Sequence, residues 1–240
     1  MTYWLQLGEA TSLAVGSILV VQVVAVPGYF YLSKRIGKRN TFIVSAVIWV
    51  TSLLSSLALR PGDTAVMWVM VFGGFVGAGT SGMLTMVWSL FADVPDVDEL
   101  DSGLRREGVF SGIFTFARKA SSAIGLFVVS VVLEFAGFQS PSQDMVDGVR
   151  TIVVQQQSPA FMLALRLAFA FLPVILIGVA IAAALRFPLT AELHARLNRY
   201  LTRRRRGDRL DDADEKEADE LHSILVGPGP RGTGAGGPTT

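Results

Sequence analysis

The stretch GVFSGIFTFARKASSAIGLFVVSVVL, residues 108–133, places two adjacent cations inside an otherwise apolar run. Ten uncharged residues precede Arg118 and Lys119 in this stretch, and fourteen uncharged residues follow them. Because a helix needs about 20 mostly apolar residues to cross a membrane, the stretch predicts a membrane-spanning helix. Charged side chains at membrane depth are costly, and they commonly mark the path of a substrate or an ion.

The cation pair has two interpretations. In the first, the span covers only 120–138, residues 109–117 form a separate interfacial helix, and the pair reaches the lipid headgroups. In the second, one continuous helix carries the pair at membrane depth. Adjacent helical residues diverge by about 100°, so one cation could face a polar cavity while the other reaches the interface. The residues of this stretch alone favour neither interpretation.

The composition of the whole chain points to a membrane protein. Of its 240 residues, 51% are hydrophobic and 17% are charged, whereas soluble domains carry about 25% charged residues. The net charge of +1 gives no sign of a nucleic-acid partner. The chain has no cysteine, and its two histidines, His194 and His222, lie near the C-terminus. This pattern weighs against nucleophile–His catalysis and metal sites, so we predict neither an enzyme nor a bound cofactor.

Hydropathy predicts an all-α polytopic membrane fold with five spans. Pro27 and Pro173 fall inside spans and are expected to kink their helices. Residues 1–12 resemble the stub of a preceding helix, which suggests that the chain is the back part of a larger protein. The predicted spans are about 13–32, 41–59, 64–91, 109–138 and 160–187.

The connecting loops alternate between cation-rich and cation-poor. The segment KRIGKRN, residues 34–40, carries four cations, and residues 196–209 carry seven arginines. The loop at 92–108 holds two arginines, whereas the loops around Arg60 and Arg150 each hold one. The positive-inside rule then predicts a multi-pass protein of the plasma or inner membrane, with its N-terminus outside and its C-terminus in the cytoplasm.

The segment after the last span divides into two parts. Residues 188–206 carry leucines at helical spacing with arginines on the other faces, which predicts a juxtamembrane amphipathic basic helix on the anionic inner leaflet. Residues 207–240 are first acidic and then Gly/Pro-rich, and we expect a cytoplasmic tail with a disordered end. The leucines of the stripe are Leu189, Leu193, Leu197 and Leu201.

Residues 77–82, GAGTSG, match the spacing of a dinucleotide-binding glycine motif. That motif requires a strand before it and a soluble helix after it, whereas this copy lies within an apolar run. Close helix packing is the favoured interpretation, since Gly73 and Gly77 form a G-x-x-x-G pair and Ala78 and Gly82 repeat the small-residue spacing. Such a face could also let helices slide or bend.

The acid-rich loop ADVPDVDELDSGLRREG, residues 92–108, could in principle bind a metal through its closely spaced carboxylates. However, it lacks the glycine that a calcium loop places at its sharp turn. The favoured interpretation is a solvated loop that pairs its own charges and docks on a partner surface.

Residues 88–125 resemble the glycoside–pentoside–hexuronide:cation symporters, the melibiose-permease-like branch of the major facilitator superfamily. That family shows an A-D-x-x-D-x-x-E-x-x-[TS]-G-x-R-x-E-G pattern followed by an aromatic-rich helix with a lysine. The resemblance extends over most of residues 1–195, and Asp101 departs from it by standing where the family often has a lysine. The matching positions are Ala92, Asp93, Asp96, Glu99, Ser102, Gly103, Arg105 or Arg106, Glu107, Gly108 and Lys119.

The resemblance implies that the five spans correspond to helices 8–12 of a longer transporter, whose N-terminal half would be a necessary partner. It places Lys119 in the central cavity beside carboxylates of that other half. Thr115 lies one turn earlier on the same face, and Trp88 could stack on a sugar, although a packing role for Trp88 is equally consistent. The cytoplasmic gate implied by the resemblance comprises Asp93, Asp96, Arg105, Glu107 and Arg118.

The resemblance therefore predicts a secondary transporter in which a sugar-like or glycoside-like solute moves with Na⁺ or H⁺ by alternating access. Family relatives in animals carry lysophospholipids, so a lysolipid is an alternative solute. A second alternative is a non-transporting remnant or an assembly subunit that needs a separately encoded N-terminal half. A membrane-embedded enzyme is disfavoured, because Glu134 is the single acid well inside a predicted span.

Overall fold

A computed structural model describes residues 10–58, 65–139, 142–146, 149–153, 157–186, 188 and 190–228 of the chain. Within these residues the chain forms eight α-helices, one short 3₁₀ turn and one two-stranded hairpin. In chain order the elements are α1 (Ala10–Ile36), α2 (Lys38–Ser55) with the 3₁₀ turn Ser56–Ala58, α3 (Ala65–Phe91), α4 (Val94–Ser102), α5 (Glu107–Phe135), β1 (Ser142–Val146), β2 (Val149–Val153), α6 (Pro159–Arg186), α7 (Ala191–Arg206) and α8 (Asp212–Leu225).

The predicted all-α membrane fold is confirmed. Five helices, α1, α2, α3, α5 and α6, are long and apolar enough to cross a membrane. At 27 residues, α1 and α3 are each about 40 Å long, which exceeds the hydrocarbon core of about 30 Å. Pro27 and Pro173 both lie inside continuous helices. Of the predicted N-terminal stub, residues 1–9 lie outside the described part of the chain.

The connection between α5 and α6 contains a short β-hairpin. Strands β1 and β2 pair antiparallel, from Ser142 opposite Val153 to Val146 opposite Val149. A five-residue strand on each side adds a small hairpin to an otherwise helical chain.

Close packing of α3 against α1 and α2 depends on its glycines. A Cβ atom at Gly77 would lie 2.5 Å from the carbonyl oxygen of Ile18 on α1, and one at Gly79 would lie 2.6 Å from the Cβ of Trp49 on α2. Gly82 meets both neighbours, because Tyr29 and Ser45 occupy the space that a side chain would need. Small residues let membrane helices approach until their backbones nearly touch. The segment 77–82 is therefore a packing surface inside α3, with no strand before it.

A hydrogen bond between helices completes this contact. The hydroxyl of Ser81 on α3, which is almost fully buried, donates to the carbonyl oxygen of Gln22 on α1 at 2.7 Å. In an apolar surrounding an unpaired hydroxyl would be costly, so this bond favours one register of α1 on α3.

Helix α5 stands apart from the other long helices. The bundle of α1, α2 and α3 extends to α6 through α2, whereas none of the residues of α5 is buried. Near its start α5 touches α4, and Phe114 stacks on Phe91 of α3 with ring centroids 4.3 Å apart. An apolar helix with so little contact exposes most of its surface to lipid or to other membrane helices.

Helices α4, α7 and α8 pack together at the end of the bundle where α3 meets α5. We call this group the α4–α7–α8 cluster. Each helix is amphipathic and too short and polar to span a membrane, and together they bury a small apolar core. The core consists of Leu100 from α4, Leu197, Tyr200 and Leu201 from α7, and Ala218 and Leu221 from α8.

This cluster corrects the expectation for the segment after the last span. The amphipathic helix is present as α7, but its leucine stripe faces α4 and α8 rather than the lipid surface, with Leu197 and Leu201 fully buried. The acidic segment, to which the sequence interpretation gave no secondary structure, forms α8. Residue 189 and residues 229–240 lie outside the described part of the chain.

Candidate functional site

The connection between α3 and α5 is built around α4, and its local sequence explains its shape. Pro95 lies in the first turn of α4, where its missing N–H is tolerated. Gly103 ends the helix with φ of 68°, and its N–H donates to the carbonyl of Glu99. Glycine adopts this left-handed backbone without strain, so the chain can turn sharply from α4 towards α5.

Asp93, immediately before α4, joins three parts of the protein. The Nζ atom of Lys38, the first residue of α2, lies 2.8 and 2.7 Å from its two carboxylate oxygens. Lys38 also donates to the carbonyl of Ser89 on α3. From α7, the Nε2 atom of His194 lies 3.3 Å from Asp93 and 3.8 Å from Asp96. Because Asp93 is only 5% exposed, its charge depends on these partners.

Arg205 near the end of α7 holds two carboxylates of α4. Its Nε atom donates to Glu99 at 2.9 Å, and its Nη2 atom reaches Asp96 at 3.0 Å and the second oxygen of Glu99. The hydrogen bonds to Glu99, and then that to Asp96, hold the pKa of Arg205 above its ordinary value. A planar guanidinium that bridges two acids fixes the rotation of α4 relative to α7.

Helix α8 is attached to both neighbours. The Nε2 atom of His222, which is buried, lies 2.8 Å from Asp101 of α4. Arg196 of α7 donates to Glu217 and to Glu220 of α8, each at 2.8 Å. Hydrogen bonding to Arg196 lowers the pKa of Glu220 below its ordinary value. Ion pairs therefore rim the apolar core of the α4–α7–α8 cluster on both sides.

The gate residues implied by the family pattern fall into separate groups. Asp93 and Asp96 come together at His194, as described above. Arg105 pairs with its near neighbour Glu107 in an exposed ion pair. Arg118 is exposed on α5, 11 residues after Glu107 and therefore about 16 Å further along the helix. The structure does not bring Arg118 to the other members of this set.

The cation pair lies within a continuous helix, since α5 runs from Glu107 to Phe135 without a break. A separate interfacial helix before the span is therefore absent. Arg118 follows Phe114 by four residues and shares the face that Phe114 turns towards α3. Thr115 and Lys119 share a different face, and both are exposed along the otherwise unpacked α5. The two cations thus point in different directions, and any partners of Lys119 must come from outside the described residues.

Trp88 lies in an aromatic group at the junction of α3 and α5. Its ring meets Phe114 edge-on at 5.1 Å and Phe91 at 6.3 Å. The indole is still 52% exposed. These contacts fit the packing interpretation of Trp88, and the exposed part of the ring leaves room for a ligand to stack.

The acidic loop shows no arrangement suited to a metal among the residues that the structure describes. No group of three or more histidine, aspartate or glutamate side chains in that part of the chain could hold a metal ion. The carboxylates of α4 instead each contact a cation or an imidazole. This arrangement fits a connection held by ion pairs.

Several residues at this site were not recognised from the sequence. In the sequence, Lys38 signals only membrane orientation, Arg205 belongs to a basic run, and His194 and His222 show no catalytic pattern. A cation inside a span was also missed. Arg166 on α6 donates to the carbonyl of Leu57 after α2, where it satisfies a free carbonyl at a helix end.

The fold and the site define a multi-pass membrane protein with an ion-paired connection at one end. The model of the MFS/sugar transport protein family matches residues 1–191. The chain therefore belongs to this transporter family, within the melibiose-permease-like branch of the major facilitator superfamily.

Three curated relatives illustrate the similarity. An uncharacterized symporter of Synechocystis is 29% identical, covering 86% of this chain and 37% of that protein. The glucuronide carrier protein homolog of Escherichia coli is 29% identical, covering 61% of this chain and 32% of its own length. The sodium-dependent lysophosphatidylcholine symporter 1-A of Danio rerio is 24% identical, covering 86% and 35%. The chain thus spans about a third of the length of these relatives.

Proposed function

We propose that this chain is the C-terminal part of a secondary transporter that moves a sugar-like or glycoside-like solute together with Na⁺ or H⁺. Membership of the transporter family is the observation that carries the proposal. The E. coli relative, a glucuronide carrier protein homolog, supports a sugar-derived solute. The Synechocystis and Danio relatives are named as symporters, which supports coupling of solute movement to a second solute or ion.

Alternating access supplies the mechanism, with this part rocking against an N-terminal half. The described residues support this mechanism at two places. Glycines let α3 pack closely on α1 and α2, and a helix face of small residues can also bend. The pair of Lys38 and Asp93 joins the start of α2 to the end of α3, where a charge pair can break and re-form.

Lys119 and Thr115 are our proposed cavity residues. They lie on a face of α5 that the other described helices do not cover, so an N-terminal half could pack there. A buried lysine needs a carboxylate partner, and the N-terminal half would supply it. The proposed gate comprises Asp93, Asp96, Arg105 and Glu107, with Arg118 reaching the interface. Trp88 is a weaker cavity candidate, because its ring already packs on Phe114.

The proposed orientation places the end with the α4–α7–α8 cluster in the cytoplasm. Lys34, Arg35, Lys38 and Arg39 lie at this end, together with the arginines of α7. The positive-inside rule favours this arrangement, with the start of α1 outside.

A lysolipid is the second candidate solute. The match to the Danio lysophosphatidylcholine symporter covers 86% of this chain, whereas the match to the glucuronide carrier covers 61%. The names of these relatives therefore support both classes of solute, and a transport measurement must decide between them.

A non-transporting role is the second candidate function. The chain spans about a third of the length of its relatives, and α5 buries none of its residues against the other described helices. An assembly subunit that joins a separately encoded N-terminal half would explain both observations.

The test is uptake into vesicles that contain the protein as purified from its native membrane, with whatever chain precedes or accompanies it. A Na⁺ gradient or a pH gradient is imposed, and a labelled glucuronide, a labelled glycoside and labelled lysophosphatidylcholine are offered in turn. We expect uptake of one class under one gradient, which collapses when an ionophore dissipates that gradient. Uptake of none of the three under either gradient would favour the non-transporting alternative.

A further inference from the structure

Both histidines of the chain contact carboxylates of the same short helix. His194 reaches α4 from α7, where it lies near Asp93 and Asp96. His222 reaches α4 from α8, where it lies against Asp101. These 240 residues have no other histidine, so both imidazoles of this chain lie in the α4–α7–α8 cluster.

Among the described ion pairs, the charges around α4 are equal in number when both imidazoles are protonated. Five carboxylates lie on α4 and at its start, and among the described contacts three permanent cations meet them. The two imidazoles bring the positive charges to five when they are protonated. The carboxylates are Asp93, Asp96, Asp98, Glu99 and Asp101, and the permanent cations are Lys38, Arg106 and Arg205.

Charged groups of the neighbouring helices face each imidazole. Asp93 and Asp96 face His194, and both also hold a permanent cation, while Asn198 of its own helix lies 3.0 Å away. Asp101 faces His222 from α4, and Arg106 lies beyond it on Asp98. On the side of α7, Tyr200 and two leucines form the shared core, and the charged residues Arg196 and Arg203 pair with Glu217, Glu220 and Asp214.

We propose that the α4–α7–α8 cluster is a proton-sensitive brace that holds the connection between α3 and α5. Histidine is the side chain that ordinarily changes charge between about pH 5 and 8. When both imidazoles are protonated, their contacts with Asp93 and Asp101 become charge-assisted and tighten the cluster. When both imidazoles are neutral, two positive charges are missing while five carboxylates remain close together. Repulsion between them then loosens α8 from α4.

The brace acts on the part of the protein that leads into α5. Helix α4 is a direct neighbour of α5, and it touches few elements besides α3, α7 and α8. Loosening α7 and α8 therefore frees α4, and with it the start of α5. An effect of cytoplasmic pH on transport follows from this proposal and rests on the proposed function. The pH-dependent loosening itself does not depend on transport.

These 240 residues contain no cysteine, so a distance can be measured in the native protein once any cysteine outside them is replaced by serine. Leu104→Cys, just after α4, and Ser223→Cys, on the exposed face of α8, then introduce two thiols for spin labels. Double electron–electron resonance in lipid nanodiscs reports the distance between them at about pH 6 and about pH 8. We expect a narrow, short distribution at the lower pH and an added long, broad population at the higher pH.

Matched variants assign this change to the imidazoles. The combined variant His194→Gln and His222→Gln keeps an amide donor at each position but cannot gain a proton, so its distribution should not change with pH. Arg209→Gln, which removes a cation outside the cluster contacts, should retain the full change. Identical distributions at both pH values in the parent protein would overturn the proposal, as would an undiminished change in the glutamine variant.

If the labels of the glutamine variant lie far apart at both pH values, a second variant tests the proposal. Asp101→Asn leaves His222 in place and removes the carboxylate that it faces. The change between the two pH values should then shrink relative to the parent. An undiminished change in Asp101→Asn would overturn the proposal.

Discussion

Lys38 and Asp93 form a forked ion pair across 55 residues of sequence, with Nζ 2.8 and 2.7 Å from the two carboxylate oxygens. The pair joins the first residue of α2 to the junction of α3 and α4. Because Asp93 is buried and Lys38 is about a third exposed, the carboxylate depends on the pair more than the lysine does. The pair therefore holds the α3–α5 connection against the membrane bundle.

Replacing Asp93 should weaken this connection. In Asp93→Asn, both Lys38 and His194 lose a charged partner, and we expect a loss of about 1 to 2 kcal/mol in the free energy of unfolding. Thermal unfolding of the detergent-purified protein should show a midpoint lowered by a few degrees. The exposed Asp208→Asn, outside the cluster contacts, serves as the control and should leave the midpoint unchanged. An equal midpoint for Asp93→Asn and the parent would show that the ion pair adds no stability.

The glycines of α3 give a second prediction. Gly77→Ala would force a methyl group to within 2.5 Å of the Ile18 carbonyl, so α1 must move away from α3. Overpacking of this kind costs about 1 to 3 kcal/mol. Gly16→Ala on α1 is a matched control, because no atom lies within 4 Å of its added Cβ. The midpoint of thermal unfolding should be lowered by Gly77→Ala and unchanged by Gly16→Ala. Equal midpoints for the two variants would contradict the close packing of α3 on α1.

Acid should loosen α8 by a route separate from the histidines. The pKa of Glu220 is lowered from its ordinary value of 4.5, first by its hydrogen bond from Arg196. A carboxylate with a lowered folded-state pKa contributes stability above its ordinary value, and that stability is lost as the pH falls through the folded pKa. A spin label at Ser223→Cys should therefore become more mobile below about pH 4.5.

Glu220→Gln tests the origin of this acid response. The variant should show a more mobile label already at neutral pH and a smaller change on acidification. A full acid response in the variant would mean that other carboxylates of the cluster cause it.

The size of the protein in its native cells tests whether a longer transporter exists. An antibody to the acidic segment 208–222 can be used on a denaturing gel. The proposed transporter predicts a band near twice the 25.8 kDa of this chain, since the relatives are longer and α5 needs partners. A band at 25.8 kDa would instead favour an assembly subunit or a remnant.

Helices that carry a local signal in the sequence could be predicted. Span length and hydropathy predicted five membrane helices, and leucine spacing predicted α7. Helix α8 also carries a local helix signal in the sequence. Its capping box joins Asp211 to Asp214, and Ala218, Leu221 and Leu225 follow at helical spacing. The hairpin between α5 and α6 carries no comparably strong pattern.

The contacts of the site could not be predicted in the same way, because they join distant residues. Asp93 and Glu99 were singled out from the family pattern, but their partners Lys38 and Arg205 lie 55 and 106 residues away. A run of arginines next to a membrane fits lipid binding as well as ion pairing. Only the packing of α7 on α4 shows that Arg205 serves the second purpose.

Uptake by a Lys119→Ala variant of the whole transporter tests the central proposal most directly. The comparison uses Lys216→Ala, which removes an exposed lysine of α8 outside the membrane helices. The solute and ion gradient are those that support uptake by the parent protein, and surface labelling measures membrane insertion of all three proteins. We expect Lys119→Ala to insert normally and to lose gradient-driven uptake, while Lys216→Ala retains it. Full gradient-driven uptake by Lys119→Ala would contradict the assignment of α5 to the transport cavity.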